Sequence, residues 1–354
     1  MPDEPKVTAI VRSMARPSLD ATLASLAAQD YVPLEVLVVA ACGAAHPPLP
    51  ARCGPHSLRL LPGATRLPRA AAANAGLAAA TGDWITFLDD DDVFLAGHLA
   101  ALMGARAQAP AARVVHSLIR ATFADGRVEH VGQPHSLIQL YERNYIHLSA
   151  AVFARELVAA GCRFDESLDI LEDWDFFIQL AQRTTFHFVP RASFEWHADA
   201  GDSGAGGGAN HDAALFAACR DRIYAKWAPQ RDALVERVAP LLQDAAGCAQ
   251  RGDRAGAEAR CREALAASPN DPFALNVYAM VRRAGGDLAE ARLAQELAVA
   301  VRPLDAGVVY NLAIVCHAQG DLAAARRCCE RALVLAPDFA PARKLAAELP
   351  AAAA

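Results

Sequence analysis

Four consecutive aspartates, Asp89 to Asp92, end the apolar run Trp84-Ile85-Thr86-Phe87-Leu88. Carboxylates crowded at a strand exit repel one another, and a hard divalent cation such as Mg²⁺ or Mn²⁺ relieves that repulsion. The competing reading is a solvated acidic turn that caps a helix starting near Leu95. A second cluster lies in FDESLDILEDWDFFIQLAQR, residues 164–183. If 171–183 is a helix, steps of about 100° per residue put Glu172, Asp175, Gln179, Gln182 and Arg183 in one polar arc. Asp173 falls in the apolar arc, where it is the only charged residue. A carboxylate so placed either caps the first turn or lines a site, and partial desolvation there would suit a general base. The third feature is His197, which closes the aromatic run FEWH ahead of a glycine-rich stretch, 198–210. Composition makes that stretch a flexible loop able to order over a substrate, and a nearby hard-metal site makes His197 a candidate ligand. The other histidines show no metal-ligand spacing. No HExxH, GxSxG, P-loop or dinucleotide fingerprint sits at a suitable strand–helix junction.

The elements that must position these residues alternate. KVTAIV (6–11), LEVLVVA (34–40), SLRLL (57–61) and WITFL (84–88) have strand character, with helical patterns over 17–29 and 69–80 between them. Alternation at these lengths predicts right-handed crossovers and a largely parallel sheet. Ligands of such sheets bind beyond the carboxyl ends of the strands, which is where the aspartates stand.

The C-terminal third follows a different period. Pro269, Pro303 and Pro337 recur every 34 residues, as do Gly252-Asp253, Gly286-Asp287 and Gly320-Asp321. Small residues repeat in register at Ala257, Ala291 and Ala325 and at Ala264, Ala298 and Ala332. Each unit is expected to run helix, Gly-Asp turn, helix, proline stop, a pattern that resembles tetratricopeptide repeats. The units are placed at 238–271, 272–305 and 306–339, with a capping helix over 340–349. The domain junction is expected near Pro229, giving domains of 1–230 and 231–354.

The chain of 354 residues is 54% hydrophobic and 21% charged, with a net charge of −6, so it is globular and unsuited to nucleic acid. No apolar stretch is long enough to span a membrane, and the acidic start MPDEPKVTAIV lacks a signal-peptide layout. Nine scattered cysteines without a CxxC suggest reduced thiols in the cytoplasm, or at the inner face of a membrane.

The segments VTAIVRS, NAGLAAATGDWITFLDDDD, FDE and EDWD together resemble a family 2 glycosyltransferase over about residues 5–227. That resemblance implies a GT-A fold, an α/β nucleotide-binding domain with a mixed sheet. It also implies transfer of a sugar, usually with inversion, from a nucleotide-diphosphate sugar to an acceptor hydroxyl on a carbohydrate or glycolipid. On this reading Asp91 is the direct metal ligand, with Asp89 as the other end of the DxD motif. Asp89 and Asp90 would stand beside the ribose and diphosphate, and Arg69 and Arg12 would contact the nucleotide. Asp173 would deprotonate the acceptor. One departure concerns the base: the family usually reads VVDDGS after the second strand, whereas Ala40 and Ala41 stand here in VVAACGA. An inactive scaffold that binds a protein partner through its repeats is the alternative function. A nucleotidyltransferase is a more distant one, since VRSMARPS lacks the glycine-rich basic loop.

Overall fold

The computed structural model describes residues 4–198 and 211–350. Its chain divides into two compact units, Met1–Gln133 with Arg143–Lys226, and Pro134–Glu142 with Trp227–Ala354.

The first unit opens with β1 (Val7–Ser13), α1 (Leu19–Ala27), β2 (Leu34–Ala40), β3 (Arg52–Cys53), β4 (His56–Leu61), α2 (Arg69–Ala79) and β5 (Trp84–Asp89). There follow β6 (Val93–Phe94), α3 (His98–Gln108), β7 (Val114–Thr122) and β8 (Val128–Val131). The segment α4 (Leu137–Glu142) belongs to the second unit. The chain then returns with β9 (Ala151–Ala154), α5 (Glu156–Ala159), α6 (Glu172–Ala181) and β10 (Phe186–His197). Among the described residues the ten strands form one mixed sheet in the order β3-β4-β2-β1-β5-β9-β7-β10-β6, with β8 also paired to β7. The block β4-β2-β1-β5 is parallel, as expected. From β9 onward the sheet is mixed, because β9 runs antiparallel to both β5 and β7 while β10 is parallel to β7.

The strands β1 and β2 are buried along their whole length, and β5 is buried as far as Leu88. Such continuous apolar runs suit strands covered on both faces. The helix α2 lies close on the sheet because Gly76 has no side chain; a Cβ there would stand 2.5 Å from Ile10 Cγ2. Succession runs outward from β1 through β2 to β4 and then crosses to β5, so the order reverses between β1 and β5. That reversal is the crevice where open α/β sheets take their ligands.

The long helix α7 (Ala213–Gln250) carries Pro229 and Pro240 within it, and the division between the two units falls at Lys226–Trp227. A proline removes one intrahelical hydrogen bond and kinks a helix without ending it when the flanking turns propagate well. The second unit continues with α8 (Arg254–Ala267), α9 (Pro272–Ala284), α10 (Leu288–Val301), α11 (Ala306–Ala318), α12 (Leu322–Leu335) and α13 (Ala340–Glu348). The 34-residue marks have physical roles. Asp253, Asp287 and Asp321 cap α8, α10 and α12 by accepting from the amides of Gly256, Glu290 and Ala324. Each is preceded by a glycine at φ of +79°, +87° or +79°, a conformation that other residues adopt at a cost. The alanines at 257, 291, 325, 264, 298 and 332 are all fully buried, which lets neighbouring helices approach closely. The segment Pro134–Glu142, read with the first domain in the sequence, groups with the repeats: Asn270 Nδ2 donates to the His135 carbonyl at 2.8 Å, and Arg302 pairs with Glu142 at 4.0 Å. No described helix is long and apolar enough to cross a membrane.

Candidate active site

The parallel register of β1 and β5 sets Arg12 opposite Asp89 at the carboxyl edge of the sheet. The Arg12 side chain, only 7% exposed, donates from Nε and Nη2 to the two Asp89 oxygens, each at 2.8 Å. Its Nη1 donates to Glu172 Oε1 at 2.8 Å, across 160 residues of sequence. Arg69, at the start of α2, donates to the same Glu172 oxygen at 3.1 Å and lies 3.8 Å from Asp89. Burial works against the Arg12 charge, but Asp89 and Glu172 together raise its proton affinity further. Burial likewise opposes the Asp89 carboxylate, yet Arg12 and Arg69 hold its pKa well below the usual range. Two arginines and two acids thus fasten the end of β5 to the start of α6.

The aspartate run forms a tight turn, in which the Asp92 amide donates to the Asp89 carbonyl at 3.2 Å. Thr22 of α1 holds the turn from below by donating to the Asp92 carbonyl at 2.8 Å. Asp89, Asp91 and Asp92 each bring one carboxylate oxygen to within 4.8 Å of the others. Burial and the other acids raise the proton affinity of Asp91, and that of Asp92 much more. Arg12 pairs with Asp89 and Arg16 stands 3.4 Å from Asp91, yet the proton affinities of Asp91 and Asp92 stay raised, and a set of hard oxygen donors of this kind fits a divalent cation. The helix-capping alternative fails on geometry, because α3 begins at His98 with Gly97 as its cap.

Asp90 is spent differently. It is wholly buried and accepts from Met14 N at 2.7 Å, Ser13 Oγ at 3.2 Å and Arg16 Nη1 at 2.6 Å. It therefore orders the loop that leaves β1 and does not face the cluster. Asp92, which had no role in the sequence reading, takes its place beside Asp89 and Asp91. His197 stands at the end of β10, where its backbone amide hydrogen-bonds Asp92 while its ring lies 3.7 Å from Glu195. Its imidazole is outside the group of three. The glycine-rich loop expected to order over a substrate lies outside the described residues.

Asp173 sits on the first turn of α6, entered through Leu171 at φ +62°. The arc that looked polar in sequence is covered at its start, although Gln182 and Arg183 at its end are exposed. Glu172 is buried by Arg12 and Arg69, and Asp175, also buried, pairs with Lys226 at 2.9 Å. Asp173 Oδ1 accepts from the Trp174 amide at 2.8 Å and Oδ2 from Asn144 Nδ2 at 2.9 Å. Burial, reinforced by the Glu172 charge, pushes its pKa up to about 6.

Asn144 and His147 come from the middle of the chain, where the sequence shows no motif. His147 packs between Phe194 and Trp196, with ring centroids 4.8 and 5.7 Å away, and burial takes its pKa down to about 4. On the other flank, His46 donates from Nδ1 to the Pro47 carbonyl at 2.8 Å and turns Nε2 to Ser13 Oγ at 2.9 Å. Ala40, paired with Ser13 in the sheet, and Ala41, whose amide donates to the Ser13 carbonyl at 2.8 Å, are both buried.

Residues 10–164 match the model of Glycosyl transferase family 2, and residues 306–339 match that of the tetratricopeptide repeat. The first match includes Asp89 to Asp92 and ends before Glu172. No curated protein matches the chain. Among solved structures, residues 1–349 of S. aureus TarS align at 14% identity and a TM-score of 0.45, covering 82% of this chain and 90% of that one. A Thermobaculum terrenum O-GlcNAc transferase mutant aligns at 26% identity and a TM-score of 0.30, covering 32% of this chain and 22% of that one. The first tetratricopeptide domain of human RPAP3 aligns at 20% identity and a TM-score of 0.31, covering 32% of this chain and 88% of that one.

Proposed function

We propose, from a chain whose residues 10–164 form a family 2 glycosyltransferase domain followed by tetratricopeptide repeats, that the protein moves a hexose from a nucleotide-diphosphate sugar to an acceptor hydroxyl with inversion. The observation that carries this reading is the link between two carboxylate groups. Asp89, Asp91 and Asp92 cluster at the sheet switch, and Arg12 with Glu172 ties them to Asp173. The three aspartates would hold a divalent cation, which when bound neutralises charge on the departing diphosphate. Arg69, at 41% exposure and paired with Glu172 and Asp89, reaches toward the same place as a partly exposed positive charge for the donor. Asp173 takes the proton of the attacking hydroxyl as the acceptor oxygen bonds to the anomeric carbon. The bond from that carbon to the diphosphate oxygen breaks, and the nucleoside diphosphate leaves with the electron pair. A single displacement needs only this one base. The repeats are read as a docking module for a protein partner or a glycan-bearing acceptor. The nine free cysteines suit a reducing cytoplasm.

A panel of UDP-, GDP- and dTDP-sugars, assayed for hydrolysis with Mn²⁺ or Mg²⁺, tests the reading and finds the donor. Asp173→Asn should lower turnover by at least about 10³-fold and leave nucleotide binding within a few-fold. The wild-type rate should fall with acid through an apparent pKa of about 6. Ala40 and Ala41 favour the scaffold reading, which would prevail if calorimetry with UDP, GDP and dTDP plus Mn²⁺ detected no binding.

A further inference from the structure

We infer that Asn144 is a positioning residue that holds the Asp173 carboxylate in its ionised, outward-facing form. The inference rests on the reading of Asp173 as the acceptor's base.

The geometry fixes which end of the Asn144 amide meets the acid. Its Oδ1 accepts from the Ile146 amide at 3.1 Å, so the NH₂ group is the part turned to Asp173 Oδ2, 2.9 Å away. An amide in this orientation can only donate. The loop that carries it is anchored on its C-terminal side. Ile146 is buried, the ring of His147 packs on Phe194 and Trp196, and β9 follows in the sheet between β5 and β7. With Oδ1 held by the Trp174 amide, the two donors set the rotation of the carboxyl group.

The charged groups facing Asp173 are Glu172 on its own helix, Arg69 from α2 and Arg12 from β1. Both arginines are already engaged with Glu172 and Asp89, so Asn144 is the side chain bonded directly to Asp173. Burial and Glu172 favour the protonated acid, and a protonated Asp173 accepts no proton from a hydroxyl. A neutral donor corrects this without adding a second cation, and it does not pull the acid out of reach as a salt bridge would. A hydrogen bond to the charged form lowers the pKa while leaving the carboxylate basic enough to act near neutral pH.

The test is a carboxyl-¹³C NMR titration of the full chain with labelled aspartate, the Asp173 signal being assigned by its loss in Asp173→Asn. Asn144→Ala should raise the Asp173 pKa by about one unit, a tenfold change in ionisation. Asn144→Asp keeps the shape and the Ile146 hydrogen bond but puts a second acid against Asp173, and should raise it further. With whichever nucleotide sugar the panel identifies, both variants should move the acid limb of kcat upward by the same amount, with donor KM within about twofold. An Asp173 pKa unchanged in both variants would overturn the inference, whatever their activity. Turnover retained in Asp173→Asn would instead overturn the reading of Asp173 as base. The two failures are therefore separable, because the titration needs no substrate.

Discussion

Asp90 and Asp92 are chemically identical neighbours with opposite assignments. Asp90 is buried under the β1–α1 loop with Met14, Ser13 and Arg16 on its oxygens, whereas Asp92, although also buried, brings a carboxylate oxygen to Asp89 and Asp91. Asp90→Asn should therefore destabilise the protein by about 2–4 kcal/mol in urea unfolding, since it strips charge from a buried hydrogen-bonded group. Its Mn²⁺ affinity should stay within a few-fold of wild type. Asp91→Asn and Asp92→Asn should lower Mn²⁺ affinity at least about tenfold by calorimetry while leaving stability nearly unchanged or improved, because each removes a repelling charge. Equal loss of Mn²⁺ binding in Asp90→Asn and Asp92→Asn would collapse the distinction. The sequence marks the run as chemical because four like charges follow a buried strand. Which acid is bound by the β1–α1 loop is not legible there, because the deciding partners lie some 75 residues earlier.

At the scale of elements, α6 shows how far a helical wheel reaches. The wheel singles out Asp173 by its apolar surroundings, but it assigns Glu172 and Asp175 to a solvent face. Both are instead buried, one by Arg12 and Arg69 and the other by Lys226. An angular position records which residues share a side, not what covers that side. The repeat helices are the opposite case, because their period is local and each mark has a local job. Ala325, fully buried between packed helices, leaves no room for a larger side chain. Ala325→Leu should cost about 1–3 kcal/mol in urea unfolding through overpacking. Asp321→Ala, which only removes a helix cap, should cost about 1 kcal/mol. If Ala325→Leu proved neutral, the close helix approach at that position would be wrong.

For the molecule as a whole, several buried groups set the response to acid, among them His98, His147 and Glu35 of the first unit. His98 is fully buried, stacks on Phe94 with centroids 4.1 Å apart and bonds Ser193 Oγ at 2.8 Å. Burial lowers its pKa from 6.5 to about 3, so between those values the unfolded chain binds a proton that the folded chain refuses. Stability present above pH 6.5 is therefore lost as pH falls toward 3. Glu35 is opposed by burial, but hydrogen bonds from Thr81 and Thr8 take its pKa from 4.5 down to about 2, so its contribution is lost lower, between those values. Stability measured by urea unfolding at stepped pH should decline in two stages. His98→Asn should reduce the slope between pH 6.5 and 4.5 without abolishing it, because His147 contributes in the same window, and an unchanged slope would place the proton elsewhere.

The sequence by itself determined what depends on local periodicity and local charge. This includes the βα alternation through β5, the 34-residue repeat with its caps and buried alanines, and the two acidic clusters. Tertiary structure alone decided what depends on distant chain segments meeting. The return of the sheet through antiparallel β9, the grouping of Pro134–Glu142 with the repeats, the burial of Asp90 and the meeting of Asn144 with Asp173 are all of this kind. The Arg12 bridge between Asp89 and Glu172 states the reason in one contact. Its partners are 77 and 160 residues away, and no period in the sequence records a distance that only a β1–β5 register and a helix docked upon it can close.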